Sequence, residues 1–112
     1  MAVHELFACM RVKNTSAAID FYTPVFGVTE KFRLVEPSGR VGHAELAFKG
    51  ATLMLSDEFP EYGMLAPPAG ASQAMSLHLH VNNCVDVITR AMGAGAMLEM
   101  PAQDQFYGER SG

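Results

Sequence analysis

The 112 residues predict an α+β protein built of two tandem βαβββ modules, the second lacking its last strand. Three observations predict this. The stretch Met75–Asn83, M-S-L-H-L-H-V-N-N, alternates strictly, with Ser76, His78 and His80 on one face of an extended strand and Leu77, Leu79 and Val81 on the other. Two helical stripes, one after Asn14 and one after Asn83, each follow such a strand and each run into glycine. Finally, Val12 matches Val81, Asn14 matches Asn83 and Ile19 matches Ile88 at one common offset far longer than a solenoid repeat.

Leu6–Val12 alternates well enough for a strand, with Leu6, Ala8 and Met10 opposed to Phe7, Cys9 and Arg11. Asn14, Thr15 and Ser16 supply N-cap chemistry. Ala18, Phe21, Tyr22, Val25 and Phe26 follow at helical spacing, Pro24 removes one donor near the end, and Gly27 suits the left-handed stop.

Thr29–Val35 and Val41–Phe48 read as a hairpin closed by Glu36-Pro37-Ser38-Gly39. In its second strand, His43 and Glu45 are expected to share a face with Val41 and Ala47, opposite Ala44, Leu46 and Phe48. Lys49-Gly50 then turns the chain into a strand over Ala51–Ser56.

The stretch 57–73, rich in proline and glycine, is a linker or lid, too apolar at Phe59, Tyr62, Met64 and Leu65 to be a free tether. The pattern then restarts. The histidine strand leads to Asn82 and Asn83 and to a stripe of Val85, Ile88, Ala91 and Met92. Ala96–Met100 is expected to be the second strand of the second module, and Tyr107–Gly112 the beginning of a third. The whole is one domain over 1–112, with module one at about 4–57, the linker at about 58–73 and the incomplete module two at about 74–112.

A net charge of -4, with no run of Lys or Arg, gives no electrostatic footprint for nucleic acid or for an anionic membrane. Leu6–Met10 is too short an apolar run to span a bilayer, and His4 and Glu5 replace the basic flank of a signal peptide. The expected location is cytoplasmic. Cys9 and Cys84 lack C-x-x-C spacing and are expected to be reduced thiols.

The segments A-A-I-D-F-Y-T-P-V-F-G (Ala17–Gly27), G-H-A-E-L (Gly42–Leu46), S-L-H-L-H-V (Ser76–Val81) and D-Q-F-Y-G-E-R-S-G (Asp104–Gly112) together resemble the vicinal oxygen chelate superfamily. That superfamily includes glyoxalase I, bleomycin-resistance proteins, fosfomycin-resistance enzymes and extradiol dioxygenases, and the likeness is to its PhnB-like subgroup. The resemblance implies a cavity lined by the first and fourth strands of each module. It places the family's metal-ligand positions at Phe7, Met54 and Ser76, none of which carries an imidazole or carboxylate. A metal-dependent activity is therefore disfavoured, and no cofactor is expected.

The candidate ligand-binding residues are Phe7, Cys9, His43, Glu45, Met54, Ser76, His78, His80 and Phe106. His43, His78 and His80 with Glu45 read either as an acid/base or ligand-orienting cluster or as polar residues lining a wet groove. An H-x-H pair sets its rings about 7 Å apart on one strand face, close enough to chelate a metal with a third ligand. Cys9 reads as an inert thiol, and the many methionines as core filling or an adaptable apolar wall.

Three functions stand side by side. The chain can be a metal-free small-molecule-binding protein that sequesters an apolar or amphipathic ligand in the groove between modules. It can be a glyoxalase-like lyase or isomerase using His43, His78 and His80, with or without a divalent metal. It can also be a structural or partner-binding module. The first is favoured, with a homodimer as the expected assembly.

Overall fold

A helix laid across one face of a four-stranded sheet forms the first of two compact units, which run to Ala74 and from Met75 to Gly112. The structure, a computed structural model, describes residues 2–112. In the first unit β1 (Ala8–Val12), α1 (Thr15–Phe26), β2 (Thr29–Val35), β3 (Val41–Phe48) and β4 (Ala51–Asp57) follow in the expected order. The sheet order is β1-β4-β3-β2, with β1 parallel to β4 and the other pairs antiparallel.

Local chemistry sets these boundaries. The Asn14 side chain accepts from the Ala17 N–H at 3.0 Å, satisfying one orphan donor of the first turn of α1. Asp57 reaches the same end from β4, its Oδ1 accepting from Thr15 N–H and its Oδ2 from Val41 N–H, each at 2.7 Å. Pro24 is accommodated in the last turn, and Gly27 ends the helix at φ 65°, which a side chain would resist. The β2–β3 turn closes as expected, Gly39 N–H donating to Glu36 O at 2.8 Å.

The core of this unit gathers Ile19, Val28, Val41, Ala44, Leu46, Leu53 and Leu55, with Ala8, Met10, Val12, Tyr22, Phe26 and Phe48 packed against it. Val41 is the exception to the alternation read from β3. It is buried with Ala44 and Leu46 rather than beside His43 and Glu45. The ladder explains this: Leu34 pairs with His43 but Val35 pairs with Val41, so Gly42 is an extra residue that turns the strand over. A second slip lies on β2, where Glu30 pairs with Leu46 and Phe32 with Glu45, leaving Lys31 as the extra residue.

The proline-rich stretch packs onto the unit, at least in its first half. A turn of 3₁₀ helix runs over Pro60–Tyr62, Phe59 bridges to Met64, and Ala66 is buried with its N–H donating to Glu58 Oε2 at 2.9 Å. Arg40 holds it down, with its guanidinium 4.2 Å from the Phe59 ring centroid and Nη2 2.8 Å from Glu61 Oε2.

The second unit contains α2 (Cys84–Gly93) and a hairpin of β5 (Gln103–Asp104) and β6 (Arg110–Ser111). Here two expectations fail. Met75–Asn83 joins no ladder, with a bend at Asn82, and Ala96–Met100 forms no strand. In the first unit, among the described residues, β1 hydrogen-bonds only to the last strand of its module. Among the described residues the second unit holds a single ladder, β5 with β6, and no strand there pairs with the histidine stretch. The alternation survives in part, with Leu79 and Val81 half-buried and His78 and His80 exposed. Among the described residues, no helix is long and apolar enough to cross a membrane.

Candidate functional site

The sheet face turned away from α1 is where the first unit collects its chemistry. Alternation fixes which side chains reach it: Leu53 and Leu55 go to the core, so Met54 between them faces the other way, as Cys9 does beside Ala8 and Met10 and Glu45 does between Ala44 and Leu46. The registers then line them up. Cys9 pairs with Met54, Met54 with Glu45 and Glu45 with Phe32, one row across all four strands. Phe7, just before β1, is half-exposed.

Within this face His43 and Glu45 form a pair. His43 Nε2 lies 2.9 Å from Glu45 Oε2, and Lys31 Nζ lies 3.5 Å from Glu45 Oε1. The hydrogen bond from His43 holds the Glu45 carboxyl below the usual carboxylate range, with Lys31 adding to it and burial opposing it. An ionised carboxylate can only accept, so Nε2 carries the proton of this hydrogen bond, and the tautomer that Glu45 selects has Nδ1 as its acceptor. The Phe32 ring lies against the imidazole, centroids 5.7 Å apart at 41°.

The sequence pointed to Cys9, His43, Glu45 and Met54, and the structure brings these four onto one face. Ser76, His78, His80 and Phe106 belong to the second unit, where all four side chains are exposed. Phe106 stands edge-on to Tyr107, centroids 5.1 Å apart, at the tip of the β5–β6 hairpin. That hairpin is pinned by Asp104 and Arg110, cross-strand partners joined at 2.8 and 3.2 Å. Lys31 and Phe32 escaped the sequence reading because the bulge at Lys31 breaks the parity of β2, so simple alternation could not assign them to the face of Glu45. Among the described residues no group of three or more His, Cys, Asp or Glu is arranged to hold a metal ion.

The family model for the Glyoxalase/Bleomycin resistance protein/Dioxygenase superfamily matches residues 4–112. The chain belongs to this superfamily. To fellow proteins of Mycobacterium bovis and Mycobacterium tuberculosis, both described as uncharacterized, the glyoxalase-superfamily chain is 33% identical over 104 residues. The match covers 90% of this chain, 68% of the first relative and 61% of the second, so the chain spans roughly two thirds of their length.

Solved structures show the same fold. TioX from Micromonospora sp. ML1 superposes with a TM-score of 0.64 at 23% identity, over 96% of this chain and 85% of that one. A glyoxalase/bleomycin resistance protein/dioxygenase from Nocardioides gives 0.62 at 22% identity, over 98% and 75%. The hypothetical protein SA1046 of S. aureus gives 0.70 at 13% identity, over 95% and 80%.

Proposed function

We propose that this superfamily member is a PhnB-like, metal-free binding protein that captures an apolar or amphipathic small molecule on the open face of its sheet, in the manner of bleomycin-resistance proteins. The row Cys9–Met54–Glu45–Phe32 is the observation that carries the reading. It combines a soft, adaptable apolar wall with a few placed polar groups, which is the composition small-molecule sites need. Ser76, His78, His80 and Phe106, all exposed, are the ligand-binding candidates of the second unit taken by itself.

The donor set argues against a resident metal. Phe7 and Met54, at two of the family's ligand positions, offer an aromatic ring and a thioether, and Ser76 at the third offers a hydroxyl. Divalent Zn, Ni, Mn or Fe selects imidazole, carboxylate or thiolate instead. Elemental analysis of untagged protein should find well below one such metal per chain. One equivalent that is lost on replacing His78 or His80 would return the reading to metal chemistry.

The capture itself is tested by native mass spectrometry of the purified protein, followed by analysis of what denaturation releases. A small-molecule adduct absent from Met54→Arg supports the proposal. An adduct retained by Met54→Arg places the ligand elsewhere. We also propose a homodimer, supported by the exposed Met75, Leu77, Met92 and Phe106 of the second unit. Light scattering at micromolar concentration distinguishes it from a monomer.

A further inference from the structure

We propose that His43 and Glu45 form a proton-accepting subsite for a planar ligand bearing an acidic hydroxyl, a phenol or an enol, which is bound with its proton transferred to His43. This rests on the ligand-capture reading above and adds the chemical class of the ligand.

The geometry supplies each requirement. Glu45 engages Nε2 at 2.9 Å and so fixes both the tautomer and the orientation of the ring, as a base needs. The imidazole makes no second hydrogen bond among the described residues, and the side chain is 32% exposed, so Nδ1 is left for a ligand. An acceptor nitrogen selects a donor, an O–H or N–H, rather than a carbonyl. Beside it the Phe32 ring, 42% exposed, and Leu34, 61% exposed, offer a flat apolar surface on which an aromatic or conjugated ligand can lie.

The charges around the pair favour the transfer. Glu45 on β3 and Lys31 on β2 are the ionised neighbours, and β4 places the uncharged Met54 opposite Glu45. When the ligand O–H bond breaks, the electron pair stays on the oxygen and the proton moves to Nδ1. The resulting imidazolium faces the Glu45 carboxylate, and the Lys31 ammonium favours the oxyanion while disfavouring a cationic ligand. No oxidant, metal or cofactor enters the balance, and release returns the proton to the ligand.

The test uses 4-nitrophenol, whose ionised form has its own visible absorbance, and its methyl ether 4-nitroanisole, which has no proton to give. The full chain should bind the phenol about tenfold more tightly than the ether, the worth of one charge-assisted hydrogen bond. The bound phenol should show the phenolate band at a pH where the free phenol is largely neutral. His43→Gln should lose both the preference and the band while still binding 4-nitroanisole, which also shows that the variant folds; Glu45→Gln should weaken both. Equal affinity for the two probes in the parent protein, or a band that persists in His43→Gln, overturns the subsite and leaves ligand capture standing. If neither probe binds, capture by this face fails and the subsite fails with it.

Discussion

Asn14 and Asn83 hold the same backbone conformation, φ -147° and ψ 97° at the first, φ -142° and ψ 98° at the second, and each caps a helix by accepting from the N–H three residues on. The distances are 3.0 Å to Ala17 and 3.2 Å to Asp86. The internal repeat is thus visible as matched capping chemistry, even where the strands around it differ. Replacing Asn14 by Ala should cost about 1 kcal/mol, the usual worth of such a cap. Asn83→Ala should instead speed amide exchange in the first turn of α2 without touching that of α1.

Asp57 gives a second prediction. Burial opposes its charge, but N–H donors from Val41 and Thr15 outweigh that and hold its carboxyl below the ordinary value. A group depressed on folding contributes stability that is complete above its unfolded pKa, about 3.9, and that is lost as pH falls through the folded value. Asp57→Asn keeps one acceptor and turns an amide toward the other N–H, which should cost about 1 to 3 kcal/mol at neutral pH. The acid limb of the urea-denaturation profile should be flatter in the variant. An unchanged limb would mean that Asp57 is not ionised in the folded state's favour.

Leu46 and Leu55 are fully buried at the centre of the sheet. Truncating either to Ala removes apolar area and leaves a cavity the sheet cannot close, so each should lose about 2 to 5 kcal/mol. Met54→Ala, on the open face next to Leu55, should lose much less, and chemical denaturation of the three variants checks the contrast.

Arg40 predicts a local effect. It binds Glu36 and Glu61 and covers the Phe59 ring, and its hydrogen bond holds the Glu61 carboxyl below its ordinary range. Arg40→Met should leave the sheet intact and expose the segment around Tyr62 to chymotrypsin. Cleavage there at the parent rate would show that the contacts do not restrain the segment.

The first module was legible because its signals agree with one another: Asn14 caps, Gly27 stops, Pro37 and Gly39 turn, and the apolar period switches between helix and strand. Where the reading of β3 went wrong, at Val41, the cause is a bulge at Gly42 that changes parity without changing composition. The histidine stretch shows a different limit. Its alternation is as clear as that of any strand in the chain, but a ladder is a property of two segments, and periodicity in one cannot supply the other. The pair His43–Glu45 was readable from i, i+2 spacing, whereas Lys31 and Phe32 joined it only through the register of β2 against β3.

The parallel pairing of β1 with β4, which sets Ala8 against Leu53 and Val12 against Asp57, also imposes an order on synthesis. Within the module β1 and α1 leave the ribosome before the other strands and must wait, because among the described residues the only strand that β1 joins is the last of the module. The β2–β3 hairpin can form in the meantime from local contacts. Asp57, which ties β3 to the start of α1, arrives at the end of that same strand. The module cannot be complete until β4 pairs with both β1 and β3, so a slow-translating stretch placed before Ala51 should prolong the exposure of its apolar helix face to chaperones.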